Sequence, residues 1–341
     1  MLSVAIVGGG NIAHSLAAAI TLHQDVTVVI RRPIAWDLHL RFEQAGAQHT
    51  CPFEIRATHD ICMVSDADVV FVALPQFAID GIVSDLKNVL KCGATVVFVP
   101  APAKTAGYAK ELSAQGCRIV GIQRVPFISR TLEYGHSVRI SEPRAVHKIF
   151  ASDEAVLQEL ATLCRKWFGG AVKYLSSFLS FAFSNSNPLL HPARLKVLLE
   201  GGDNGKYVHC PYFYAEWTDE SSELYVAADK EMYKVFKKIS PESARIDYES
   251  VLDHYEVASA DALTQKIRSI ESFKKILAPW KQDIDSNWVP DYESRYFTED
   301  IPFGTSIIQS YARAMDIKTP TIDEFMNIVP MGDKNHGLTS M

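Results

Sequence analysis

The chain has 341 residues, 48% hydrophobic and 22% charged, with a formal net charge of -6 and a mean hydropathy near zero. Those values suit a soluble globular protein of about two domains and exclude a disordered, collagen-like or coiled-coil chain. No apolar run reaches the ~18 residues of a membrane span, and an acidic chain is a poor general nucleic-acid binder, so neither a membrane nor a nucleic acid is an expected partner.

Residues 3–7 (SVAIV) read as a strand, and residues 11–23 as a helix with Ile12, Leu16, Ala19 and Ile20 on one face. Residues 25–30 give a second strand, 68–73 (DVVFVA) a third, 76–90 a helix, 94–99 a strand, 104–115 a helix and 118–121 another strand. Fully apolar strands separated by helices predict a doubly wound parallel sheet covered on both faces. Alternation over 136–140 and 145–150 suggests added antiparallel strands. A helix over 152–168 ends at Gly169-Gly170, and 171–175 is a last short strand. Residues 176–184, 189–200, 218–239, 260–277, 302–314 and 321–328 all favour helix. The expectation is an α/β protein with an N-terminal dinucleotide-binding domain over 1–172 and a mainly α-helical substrate and catalytic domain over 173–341. Charge divides along similar lines. Residues 1–170 carry 16 basic and 15 acidic side chains, residues 171–341 carry 18 and 25.

The six cysteines are dispersed, with no C-x-x-C pair and no clustered histidines, so they read as free thiols and no metal site is expected. The start of the chain has no basic n-region and no long apolar h-region, and a cytoplasmic protein is the simplest reading.

Val7-Gly8-Gly9-Gly10-Asn11-Ile12-Ala13 fits G-x-G-x-x-A between a strand and a helix, the setting that makes a dinucleotide-binding turn credible. Gly8 permits the tight turn, Gly10 lets backbone approach a pyrophosphate, and Ala13 is small enough for close helix–strand packing. The free amides of Asn11, Ile12 and Ala13 then meet the phosphates. An acid about 20 residues on would hold the ribose 2′-hydroxyl of NAD. Here the strand ends Ile30-Arg31-Arg32-Pro33, which points to NADP(H) in preference to NAD(H), with Arg31 and Arg32 on the 2′-phosphate. Leu74 and Pro75 end the DVVFVA strand at the same carboxyl edge.

Two segments of the second half are dense in chemistry. Asn187-Pro188-Leu189-Leu190-His191 runs from a polar turn into a helix, just past the domain boundary where a cleft is expected. Arg295-Tyr296-Phe297-Thr298-Glu299-Asp300-Ile301-Pro302-Phe303-Gly304 carries a cation and two carboxylates ahead of a helix. Histidine is the usual proton donor beside a nicotinamide at neutral pH, and an aspartate can orient it. The competing readings are a helix-start histidine on local backbone and an Arg–Glu/Asp surface pair with helix-start acids favoured by the dipole. The aromatic run Tyr212–Trp217, with Trp280 and Trp288, reads as core or as pocket lining.

These segments, with Gly8 to His14, come in an order that resembles the octopine/nopaline (opine) dehydrogenase family over most of the chain. The resemblance implies a Rossmann domain joined to a helical domain related to the 6-phosphogluconate dehydrogenase group. The implied activity is NAD(P)H-dependent reductive condensation of an α-keto acid, often pyruvate, with the amino group of an amino acid. It implies that His191 is the proton donor, Asp300 its partner, and Arg295 a substrate-binding residue, with Asn187 placed in the substrate region. Related helical domains often bury surface between subunits, which leaves a homodimer open. The chain is short for the family. Two other readings stand beside it: a ketopantoate reductase-like 2-keto/2-hydroxy acid reductase, although residues 176–195 hold no lysine, and a non-catalytic NADP(H)-binding redox sensor.

Overall fold

The computed structural model describes residues 2–328. The chain divides into two compact units, one ending at Phe181 and one starting at Ala182.

The first unit is built on an eight-stranded sheet. In chain order its elements are β1 (Val4–Val7), α1 (Asn11–Ile20), β2 (Val26–Val29), β3 (Arg41–Gln44), β4 (Ala47–Thr50), β5 (Ile55–Thr58), β6 (Val69–Val72), α2 (Ile79–Val89), β7 (Thr95–Phe98), α3 (Thr105–Ser113), β8 (Arg118–Ile122), β9 (Ser129–Glu133), β10 (Ser137–Ile140), β11 (Val146–Ala151), α4 (Glu154–Phe168) and β12 (Ala171–Tyr174). The strand order is β12-β11-β8-β7-β6-β1-β2-β5, parallel except where β11 meets β8. Successive side chains on a strand point to opposite faces. Ile6, Val28, Phe71, Val97 and Val120 therefore pack with Leu16, Leu160 and Trp167 on one side. Ala5, Val7, Val70, Val96 and Phe98 pack with Val83, Leu86 and Leu112 on the other. Burial on both faces is what makes these strands apolar throughout. The sheet is of the Rossmann type.

Of a second sheet, β4-β3-β10-β9, only β10 was expected from the sequence, as an added antiparallel strand, and it pairs antiparallel with β9. The strands of this sheet are short and largely polar, and β4 is exposed along its length. β3 and β4 join through Ala45 and Gly46, both at positive φ, the backbone of a tight two-residue hairpin.

The second unit is mainly helical. Its elements are α5 (Leu179–Phe183, spanning the division between units), α6 (Asn187–Glu200), α7 (Asp219–Ile239), α8 (Pro241–Asp247), α9 (Val251–His254), α10 (Ala260–Ser269), a π-helical stretch (Tyr296–Thr305), α11 (Ser306–Ala314) and α12 (Pro320–Met326). A small hairpin pairs β13 (Trp280–Gln282) with β14 (Trp288–Pro290). α7 is its axis. Thr218 caps it by accepting the Ser221 N–H, Asp219 and Glu220 sit at its positive end, and Lys237 and Lys238 at its negative end. Its buried Glu231 accepts the Thr321 and Ile322 N–H groups (3.0 Å each), capping α12. The expected helix over 260–277 stops at Ser269. The Ser269 hydroxyl turns back to the Lys266 carbonyl (2.7 Å) and Ile270 is extended.

Candidate active site

At the glycine turn, Gly8 has φ +137°, and a Cβ there would lie 2.3 Å from the Ala73 carbonyl oxygen. Only glycine fits. A Cβ at Gly10 would meet nothing within 4 Å, so the backbone is open on that side. Gly10 is the N-cap of α1 with no side-chain cap, which leaves the first amides of the helix for an anion. Ala13 is fully buried under the strand. Leu74 reaches 3.5 Å from the position of a Gly8 Cβ, while Pro75 is exposed and starts a short turn. This geometry fits a dinucleotide pyrophosphate.

The β9–β10 hairpin grips the same turn. Asn11 Oδ1 accepts the Thr131 N–H (2.9 Å), and the Ser129 hydroxyl donates to the Asn11 carbonyl (3.0 Å). Asn11 thus offers a phosphate its backbone amide, its side chain being taken by the hairpin. His14 is fully buried; its Nε2 accepts the Gly135 N–H (2.8 Å), so Nδ1 carries the proton to the Gly10 carbonyl (2.9 Å). Arg31 and Arg32 are exposed after β2, and the Arg32 guanidinium lies 4.9 Å from the centre of the Tyr134 ring.

In the second unit, His191 sits on α6 and is 8% exposed. Its Nδ1 lies 2.7 Å from Asp300 Oδ2, so two residues 109 positions apart meet. Two oddities of the sequence bring them together. Pro192 lies inside α6 and has no N–H for the Pro188 carbonyl. That carbonyl instead accepts the Thr305 hydroxyl (2.5 Å), from the end of the π-helical stretch. A Cβ on Gly304 would fall 2.4 Å from Pro188 Cγ, so glycine there lets the stretch close on the helix start. Asp300 is delivered from between these contacts. The wide turns of a π-helix recur at functional sites.

The other nitrogen of His191, Nε2, lies 3.0 Å from the Tyr214 hydroxyl, and the Tyr296 ring stands 4.5 Å from the imidazole. Burial pushes the Tyr214 phenol well above the usual tyrosine range, with Tyr296 the next cause, and burial raises Tyr296 likewise. Sequence reasoning placed Tyr214 only within an aromatic run. Its neighbours Phe213 and Trp217 are fully buried core, and Trp217 Nε1 donates to Ser222 Oγ (2.9 Å). Trp280 is also structural, donating to the Gly205 carbonyl (2.7 Å). Arg295 is engaged with Glu299 through Nε (2.7 Å) and Nη2, with its side chain 80% exposed. Asn187 is exposed at the first position of α6. Among the described residues there is no group of three His, Cys, Asp or Glu side chains placed to hold a metal, and no helix long and apolar enough to cross a membrane.

A Rossmann sheet with an open glycine turn and a helical unit with a buried His–Asp pair define an NAD(P)-dependent oxidoreductase. Residues 174–331 match the family model of the NAD/NADP octopine/nopaline dehydrogenase alpha-helical domain, and residues 3–117 match that of the coenzyme F420-dependent NADP oxidoreductases. Among curated proteins, tauropine dehydrogenase of Arabella iricolor is 22% identical over 96% of this chain and 90% of its own length. Octopine dehydrogenase of Pecten maximus is 22% identical over 95% and 88%. A solved octopine dehydrogenase in complex with NADH and agmatine shares the fold at TM-score 0.81 and 21% identity, over 96% of this chain and 88% of that one. Residues 174–331 thus carry the octopine/nopaline dehydrogenase helical domain, and the chain is similar to opine dehydrogenases over nearly its whole length.

Proposed function

We propose that the protein catalyses the NADPH-dependent reductive condensation of an α-keto acid, such as pyruvate, with the amino group of an amino acid. Keto acid, amine, NADPH and one proton give a secondary amine, water and NADP⁺. The observation that carries this reading is the 2.7 Å contact between His191 and Asp300. A bound nicotinamide supplies the hydride. The protein's own part is the proton: an imidazole charged on Nε2 polarises the carbonyl or imine, and Asp300 stabilises that charge. Arg295, whose Glu299 contact uses the Nε and Nη2 atoms, presents its exposed edge to a substrate carboxylate. Asn187, exposed at the start of α6, lines the substrate region.

Cofactor binding falls to residues 1–172, with Gly8, Gly10, Asn11, Ile12 and Ala13 on the pyrophosphate, Leu74 and Pro75 beside it, and Arg31 and Arg32 on a 2′-phosphate. Substrate chemistry falls to residues 173–341. Tauropine and octopine dehydrogenases lend the amine candidates. The test is a panel of amino acids, arginine and taurine (an amino sulfonic acid) included, with pyruvate and other keto acids under NADH and under NADPH. Turnover that requires both keto acid and amine supports the reading. Equal turnover with keto acid alone overturns it in favour of a simple keto acid reductase.

A further inference from the structure

A carboxylate can only accept, so the contact with Asp300 fixes the His191 proton on Nδ1 when the ring is neutral and leaves Nε2 as its acceptor. Nε2 is the atom that must charge and discharge. What faces it is the Tyr214 hydroxyl, 3.0 Å away in a buried contact.

The phenol is built into that position. Arg194 follows His191 by three residues on α6, and residues so spaced share a helix face. It is 3% exposed, donates from Nε to the Phe213 carbonyl (3.0 Å) and from Nη2 to the Tyr212 carbonyl (3.4 Å), and burial lowers its pKa to about 10. A buried guanidinium spent on two backbone carbonyls holds the loop just before Tyr214 to the helix that carries His191. The Tyr214 ring then stacks on Phe273 (4.2 Å between centroids). A phenol held so firmly in its neutral form moves a proton only by giving one and taking one together.

We propose that Tyr214 is a catalytic residue of this site, its hydroxyl relaying the proton from His191 Nε2 to the substrate. This rests on the reading of the site as one that reduces a C=N bond with hydride from NADPH. In the step, the Tyr214 O–H bond breaks as the substrate nitrogen gains N–H. The Nε2–H bond of the charged imidazole breaks as the Tyr214 O–H bond re-forms. His191 loses one proton, Tyr214 is unchanged, and Asp300 keeps its hold on Nδ1–H.

The test is single-turnover hydride transfer from NADPH, with pyruvate and the amino acid of highest turnover in the panel above. Tyr214→Phe removes only the hydroxyl. It is expected to slow hydride transfer roughly 10²-fold, the lower end of what a positioned proton donor contributes, with NADPH affinity unchanged. In H₂O/D₂O mixtures the wild-type rate should trace a bowed line, since two protons move together, and the Tyr214→Phe rate a straight one. A wild-type rate in Tyr214→Phe, or a straight wild-type line, overturns the relay. His191→Gln separates the two claims. If it also transfers hydride at the wild-type rate, the reading of the site fails; if it is inactive while Tyr214→Phe is not, only the relay fails. Should Tyr214→Phe not fold, the wild-type solvent series alone decides.

Discussion

His14 in the first unit and His191 in the second are both held on two ring nitrogens, and their partners differ in kind. His14 lies between two backbone groups, the Gly10 carbonyl and the Gly135 N–H. Neither adapts to a second proton: a charged ring would point Nε2–H at another N–H. Burial accordingly lowers the His14 pKa. His191 lies between a carboxylate and a phenol. The carboxylate stabilises a charged ring, and the phenol can donate its O–H to Nε2 or accept Nε2–H on its oxygen, so both protonation states are satisfied. Two buried histidines of similar exposure are thus held differently, one in a single tautomer and the other between partners that accommodate either protonation state.

The largest effect expected from this contrast is at His191. His191→Ala should lower turnover by roughly 10²–10⁴ while NADPH still binds. Steady-state rates with a fluorescence titration of the cofactor check both parts, and wild-type turnover would remove the assignment. His14→Phe keeps a ring of similar size and should leave turnover nearly intact. It strands the buried Gly135 N–H, and an unsatisfied buried donor costs about 1–3 kcal/mol, readable by urea unfolding. A His14→Phe protein of wild-type stability but lost turnover would reverse the roles assigned to the two rings.

Acid should separate them further. The folded state keeps His14 neutral, whereas an unfolded histidine takes up a proton near pH 6.5. The unfolded state then binds more protons, so this contribution is fully present above about pH 6.5 and is lost as pH falls below it. Each such histidine gives a slope of at most about 1.4 kcal/mol per pH unit. His147, buried with Nε2 on the Gly169 carbonyl, shifts in the same direction. Unfolding free energies measured between pH 7 and 5 should therefore fall less steeply in His14→Phe than in the wild type, with the His147 share remaining.

What the sequence showed and what it hid follow from the same physics. The strands around β1, β6 and β7 were legible because burial on both faces leaves an uninterrupted apolar run. β3 and β4 were not, since each is four residues long and mostly polar, and Ala45-Gly46 is a weaker hairpin signal than Asn-Gly. His191 and Asp300 each stood out by local context. Their meeting depends on Pro192 freeing a carbonyl and Gly304 sparing a Cβ, which become meaningful only once α6 and the π-helical stretch pack. Tyr214 was hidden by its neighbours. In a run where Phe213 and Trp217 are core, no local signal marks the one ring that turns its oxygen toward His191.

The smallest effect concerns the cofactor. On the proposed reading the glycine turn would hold a pyrophosphate common to NADH and NADPH, so discrimination would come from the ribose end, the role proposed for Arg31 and Arg32 where no acid directly follows β2. Both are exposed, and solvent screens what they contribute. One charge-assisted hydrogen bond to a 2′-phosphate, at about 1.5 kcal/mol, corresponds to about tenfold in affinity. Arg31→Ala and Arg32→Ala should each raise the KM for NADPH about tenfold and leave that for NADH nearly unchanged. Tyr134→Leu should act more weakly, because it removes only the ring beneath Arg32, a cation–π contact of about 0.5–1 kcal/mol at an exposed site. The gap between cofactors should narrow as salt is raised, since the effect is one of charge. Equal losses for NADH and NADPH would instead mean that the two arginines support the turn without reading the 2′-phosphate, and that cofactor choice lies elsewhere along the carboxyl edge.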